Sequence, residues 1–190
     1  MAEMSRLGRW LVNRKTEGRA RKVLSQLGPE FAVEPGAAVL ELGSGGGGMV
    51  ALLHERFHPA RIVGTDYDPA QVSAATRFLT ERWGEIPASI ELRSADALSL
   101  PFPDASFDYV FALLMLHHVE TKFSEYVRRP KVLGEIRRVL RPGGRLVYSD
   151  IVRRKEIRAT LTQLEFMAQL DRSRRWTDLA VFRVGTPRAG

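Results

Sequence analysis

The chain has 190 residues, 44% hydrophobic and 27% charged, enough to bury one substantial core and too few for two large domains. It has no cysteine, which excludes disulfides, thiolate metal sites and cysteine nucleophiles and suits a reducing, cytoplasmic setting. Lys and Arg number 29 against 22 Asp and Glu, a formal charge of +7 spread over short groups such as Arg128/Arg129, Arg137/Arg138 and Arg172/Arg174/Arg175. Scattered cations of this kind read as solvated helix faces, with nucleic acid kept as the alternative partner.

No apolar stretch approaches the roughly 20 residues of a membrane span, and Met1-Ala2-Glu3-Met4-Ser5 lacks the apolar core of a secretion signal. Residues 1–30 read as a helical segment ahead of a main domain at 31–190. Val23, Leu24 and Leu27 give an amphipathic helix over 16–27, and Leu7, Trp10, Leu11 and Val12 among arginines suggest another before it. Such a segment packs over the domain's edge, serves as a lid over the substrate, or makes peripheral contact with an anionic membrane surface.

From residue 38 onward apolar runs alternate with amphipathic segments. The spacing predicts strands at 38–42, 61–65, 89–93, 107–111 and 144–149. Helices are expected at 47–56 and 69–83, with a third segment ending at Leu140 that Pro130 interrupts or restarts. That order implies an α/β fold: a Rossmann-like, doubly wound, mostly parallel sheet with helices on both faces.

In such a sheet a ligand lies outside the carboxyl ends of the strands, so the residues ending each strand are the ones to inspect. The first strand ends in Glu41-Leu42-Gly43-Ser44-Gly45-Gly46-Gly47-Gly48. Glycines 43, 45 and 48 fit a dinucleotide spacing, while 43, 45 and 47 fit the spacing of S-adenosylmethionine sites. Glu41 beneath the loop favours a cationic ligand over a pyrophosphate, unless it merely bonds backbone N–H groups. Asp66 ends the second strand, 23 residues after Gly43, where an acid can accept both ribose hydroxyls. Tyr67 either lies against an adenine or packs on the sheet's edge. Asp68 suits a helix cap better than Asp66 does. Asp96, after the third strand, either accepts from an exocyclic adenine amine or caps a turn.

Together these stretches resemble a known family. The carriers are Val39 to Gly47, the Asp66 strand end, Asp96-Ala97 with Leu100 to Asp108, Leu116-His117-His118-Val119, and Glu135 to Gly144. They occur in the order and spacing of the class I S-adenosylmethionine-dependent methyltransferases, and resemble most the small-molecule and lipid branch that includes the ubiquinone/menaquinone (type 11) enzymes. The resemblance covers about residues 30 to 150 and implies S-adenosyl-L-methionine as cofactor, with S-adenosyl-L-homocysteine as product. It implies that Glu41, Gly43, Gly45 and Gly47 hold the amino-acid end, Asp66 the ribose, and Asp96 with Ala97 the adenine, with Ser44 and Tyr67 beside them as further cofactor-binding candidates. Backbone around Ala112 and Leu113 would flank the sulfonium.

Methyl transfer is an in-line displacement, and positioning alone supplies roughly 7 to 11 kcal/mol when attack geometry is held. A base is needed only where the acceptor must lose a proton. His117 and His118 after the fourth strand and Asp150 ending the fifth share a wall in this fold. By likeness to sugar and natural-product O-methyltransferases, His117 is the leading base candidate, supported by His118 and Asp150. The bland reading gives one imidazole a backbone hydrogen bond. No metal site is expected, because adjacent histidines on an extended segment point apart.

Only 40 residues follow Asp150. A helix over 152–170 and one strand at 178–184 are expected; the second strand is missing or formed within 160–170, so the C-terminal strand region is shortened and either the sheet ends early or a homodimer completes its edge. An open site would suit a large, lipid-like or macromolecular acceptor.

The leading expectation is O-, N- or C-methylation of a small-molecule or lipid-like acceptor. One alternative is an RNA or protein methyltransferase, although Ala112-Leu113-Leu114-Met115 stands where base-amine enzymes carry an Asn/Asp-Pro-Pro-Tyr tetrad. Another is a catalytically silent S-adenosylmethionine-binding regulatory domain. Glu41 and the turn at 140–144 disfavour a dehydrogenase, and the lack of cysteine excludes arsenite methylation.

Overall fold

A computed structural model describes residues 6–116, 119, 125–151, 154–174 and 178–185. Its elements run α1 (Arg6–Leu27), β1 (Ala38–Leu42), α2 (Gly48–Phe57), β2 (Arg61–Asp66), α3 (Pro69–Trp83), β3 (Ile90–Ser94) and β4 (Phe107–Leu113), then α4 (Glu125–Val139), β5 (Leu140–Asp150), α5 (Arg154–Gln163), β6 (Phe166–Asp171) and β7 (Asp178–Val184). The seven strands form one sheet in the order β3-β2-β1-β4-β5-β7-β6. Strands β1 to β5 pair in parallel, while β7 is antiparallel to both β5 and β6.

Side chains alternate between two cores along the central strands, as a period of two requires. Leu40 and Leu42 of β1, Val110 and Ala112 of β4, and Leu146 and Tyr148 of β5 enter the core under α4 and α5. Val39, Tyr109, Phe111 and Val147 face the other way, into the core under α1 and α2. Strands covered on both faces have no solvent side, which is why they read as apolar runs.

Three helices depart from the sequence reading. One helix, α1, replaces the two expected, and its Ala20, Leu24 and Leu27 pack in the same core as Met49 to Leu53 of α2. Pro130 lies inside α4 without breaking it. As the sixth residue of α4 it lies past the four N–H groups that go unpaired at any helix start, so the helix continues at the cost of one ladder bond.

The third departure corrects the C-terminal reading. The helix expected over 152–170 stops at Gln163, Glu165 turns the chain with φ of 61°, and residues 166–171 become β6. Met167, Ala168, Gln169 and Leu170 carry helical propensity, and only Phe166 is buried, so the local signal is not a strand's. Pairing with β7 overrides it. The sheet therefore has the strand thought missing, and no partner subunit is required to supply it.

At the β4–β5 junction the register passes from Phe107 opposite Leu140 to Tyr109 opposite Arg145, so residues 141–144 bulge out. Gly143 there has φ of 79°, and a Cβ on Gly144 would lie 2.9 Å from the Arg141 carbonyl oxygen, which demands glycine.

Candidate active site

The chain crosses from β1 to its neighbour β2 on one side and from β4 to β5 on the other, so the winding reverses between β1 and β4. A cavity of about 830 Å³ opens at the carboxyl ends of these strands, within the size range of small-molecule sites. Glu41, Gly43, Ser44, Gly45, Asp66, Tyr67, Asp96, Ala97 and Leu113 all line it.

Its floor is the loop after β1. Gly43, Gly45 and Gly47 take φ of 71°, 48° and 79°, backbone that other residues adopt at a cost. A Cβ on Gly43 would stand 2.8 Å from the Met115 Cβ, so bare backbone is needed where the loop passes the end of β4. The Ser44 N–H donates to the Thr65 carbonyl at 2.8 Å, and the Thr65 hydroxyl donates to the Glu41 carbonyl at 3.0 Å, which fixes the loop to β2.

Gly47 and Gly48 differ from the sequence expectation. Gly47 caps the start of α2 and turns toward α3, where a Cβ would lie 3.1 Å from that of Ala75, while Gly48 lines the cavity. Gly47 thus permits close packing of α2 on α3, away from the cavity wall.

Glu41 is 4% exposed. Its Oε2 is buried without a hydrogen-bond partner, as is the Ser44 Oγ. Burial, and secondarily the nearby charge of Asp66, push the Glu41 carboxyl up to about 8. A buried acceptor aimed at a cavity and lacking a protein donor is what a bound ammonium requires.

The acids further along are already tied to backbone. Asp66 accepts from the Gly45 N–H through Oδ2 and from the Asp68 N–H through Oδ1, each at 3.0 Å. Carboxylate oxygens have lone pairs beyond these two bonds. Asp68 caps α3 by accepting from the Ala70 N–H at 2.9 Å. Asp96 accepts from the Leu98 N–H at 2.9 Å, the turn-capping arrangement. Tyr67 is 77% exposed at the cavity mouth.

Asp150 lies elsewhere. It is fully buried at the end of β5, opposite Asp178 of β7, and accepts from the Leu116 N–H at 2.9 Å and the Ile151 N–H at 2.7 Å. It fixes the backbone that leads to residues 117 and 118. His117 and His118 themselves lie outside the described residues.

Several lining residues were not singled out from sequence: Arg19 and Ala20 from α1, Gln71 from α3, Met115, and Arg128 from α4. Arg19 and Val23 form an i, i+4 stripe beside the buried stripe of Ala20, Leu24 and Leu27, which is the one signal that could have found Arg19.

The architecture is that of the Rossmann-like methyltransferase fold. One chain of a complex between the Haloferax volcanii Trm112 methyltransferase activator and a methyltransferase superposes with a TM-score of 0.73 at 19% identity, covering 91% of this chain and 93% of that one. A geranyl diphosphate methyltransferase solved with S-adenosylmethionine gives a TM-score of 0.66 at 19% identity, covering 89% and 84%.

Residues 40–148 match the family model described as a methyltransferase domain, and the chain belongs to that family. Its cofactor is S-adenosylmethionine. The demethylmenaquinone methyltransferase of Thermus thermophilus is 38% identical over 109 residues, which are 57% of this chain and 44% of that protein. The phthiotriol/phenolphthiotriol dimycocerosates methyltransferase of Mycobacterium leprae is 35% identical over 116 residues, 61% of this chain and 38% of its own. The chain thus spans less than half the length of these curated relatives.

Proposed function

We propose that this chain transfers a methyl group from S-adenosylmethionine to a lipid-like acceptor. The observation that carries the reading is the unpartnered, buried Glu41 Oε2 facing a cavity that also holds Asp66 and Asp96. A buried acid below a glycine loop gives up its proton to hold an ammonium and gains nothing from a pyrophosphate, which weighs against a nicotinamide dinucleotide.

On this reading Glu41 accepts from the cofactor's ammonium, and Gly43, Ser44 and Gly45 present backbone to its amino-acid end. Gly47 acts by letting α2 sit close. Asp66 accepts from the ribose hydroxyls, with Tyr67 over the nucleoside. Asp96 and Ala97 receive the adenine, and Leu113 flanks the sulfur. The cofactor supplies an electrophilic methyl bound to a sulfonium, and the chain's own task is alignment and exclusion of water. Asp150 is assigned as a positioning residue that anchors the Leu116 backbone. His117, supported by His118, is the candidate base for an acceptor that must lose a proton.

A lipid-like acceptor is supported by the relatives named for menaquinone and dimycocerosate chemistry and by Val23, Leu98, Leu113 and Met115, apolar residues among the cavity lining. Part of the basic excess that raised the RNA reading is neutralised within the chain. Among the described residues Arg61, Arg82, Arg138, Arg141 and Arg145 are each engaged by carboxylates. The silent-domain reading rested on a missing strand, and β6 is present. No helix among the described residues is long and apolar enough to cross a membrane. For residues 1–30 the edge-helix role fits the packing of α1 on α2, and the exposure of Arg19 to the cavity leaves a lid role beside it.

The test is transfer of tritiated methyl from S-adenosylmethionine to demethylmenaquinol, fatty acids and hydroxylated lipids. Transfer to any of them supports the reading. Cofactor binding with no transfer to this panel, and transfer to RNA instead, overturns it.

A further inference from the structure

Most arginines with described side chains sit against carboxylates, and two that line the cavity do not. Arg19 of α1 and Arg128 of α4 have no hydrogen-bond or ion-pair partner among the described residues, and both are exposed to the cavity. They come from separate elements, packed on opposite faces of the sheet, and meet around one space.

Leaving a guanidinium unpaired beside the site of a sulfonium is unfavourable. The two guanidinium groups repel each other across the cavity, and neither is paired with a carboxylate of the described residues. The acids in this cavity, Glu41, Asp66, Asp68 and Asp96, lie at the strand ends and loops of β1, β2 and β3. Arg128 reaches the same cavity from α4, which packs on the other face of the sheet from α1. An anion placed there would offset both the guanidinium and the sulfonium. Planar carboxylate and tetrahedral phosphate oxygens match the guanidinium fork.

We infer that Arg19 and Arg128 hold a carboxylate or phosphate inside this cavity, and that the anion belongs to the methyl acceptor. The substrate class is therefore an amphiphile with an anionic head and an apolar body, the latter lying along Val23, Leu98, Leu113 and Met115. This inference rests on the methyltransferase reading given above. A carboxylate acceptor is ionised at neutral pH and needs no general base to become a nucleophile.

The cofactor also carries a carboxylate, so the experiment separates the two sources. Wild type, Arg19→Gln and Arg128→Gln are titrated calorimetrically with S-adenosylhomocysteine and with 5′-methylthioadenosine, which lacks the amino-acid end. Each protein is then titrated with decanoate, decyl phosphate and decanol, with and without S-adenosylhomocysteine. The expected result is that decanoate or decyl phosphate binds wild type at least tenfold more tightly than decanol, and that each Gln variant loses this preference. Affinity for S-adenosylhomocysteine should stay within about threefold of wild type.

Equal binding of the anionic probes and decanol overturns the inference. So does a loss in the Gln variants confined to S-adenosylhomocysteine and absent for 5′-methylthioadenosine, since the anion is then the cofactor's own. Failure of wild type to bind S-adenosylhomocysteine at all contradicts the methyltransferase reading instead, and the probes without cofactor still decide whether an anion is held. Circular dichroism of both variants confirms that they fold.

Discussion

The Gly45 N–H donates to the Asp66 carboxylate at 3.0 Å, so the acid at the end of β2 is joined to the loop at the end of β1. One carboxylate thus shapes the glycine loop and presents lone pairs to the cavity. Asp66→Ala should weaken S-adenosylhomocysteine by about 1.5 to 3 kcal/mol per lost charged hydrogen bond. Asp66→Asn, whose amide oxygen can still accept from Gly45, should fall between it and wild type. Calorimetric titration of the three proteins measures this, and wild-type affinity in Asp66→Ala would remove the ribose assignment.

Glu41 makes cofactor binding depend on pH. Its carboxyl titrates near 8 in the free protein because of burial first and Asp66 second. An ammonium held against it stabilises the ionised form, so binding expels a proton. Affinity should rise from pH 6 and level off above about 8, and Glu41→Gln should show weak, nearly pH-independent binding. The same shift acts on folding, with the sign reversed. The folded carboxyl holds its proton above the usual 4.5, so this group's contribution is full below about 4.5 and lost as pH rises through about 8. Wild-type Tm should therefore decline over that window relative to Glu41→Gln, as scanning calorimetry would show.

Gly43→Ala should destabilise the protein by roughly 1 to 3 kcal/mol, from a left-handed backbone and a close approach to Met115. The atom encountered is the Met115 Cβ, so Met115→Ala should fail to rescue the variant. Rescue in urea denaturation would show that the contact involves the rest of that side chain.

Asp150 accepts from two backbone N–H groups, of Leu116 and Ile151, in a fully buried place. Asp150→Ala strands these donors and should cost about 1 to 3 kcal/mol for each that stays unsatisfied. A variant with wild-type Tm would argue against the positioning role.

Strands β1 to β4 and α3 were legible to within a residue or two, and β5 apart from its first four residues, because burial on both faces writes itself as apolar runs bounded by turns. The strand-end acids were legible for the same reason, since each follows such a run. What escaped was set by contacts between elements distant in sequence. Residues 166–171 become a strand through pairing with β7. Gly47 faces α3 and Gly48 the cavity because of how α2 docks, which glycine spacing does not encode. Arg19 and Arg128 face the cavity through the packing of α1 and α4, and in sequence they resemble every other surface arginine.

The account stands on a cavity built for a cationic, nucleoside-bearing cofactor. Its most direct test is calorimetric titration of the wild-type protein with S-adenosylhomocysteine and, separately, with NADH. The account predicts saturable one-to-one binding of S-adenosylhomocysteine, tightening from pH 6 to 8, and none of NADH. Binding of NADH without binding of S-adenosylhomocysteine would contradict it.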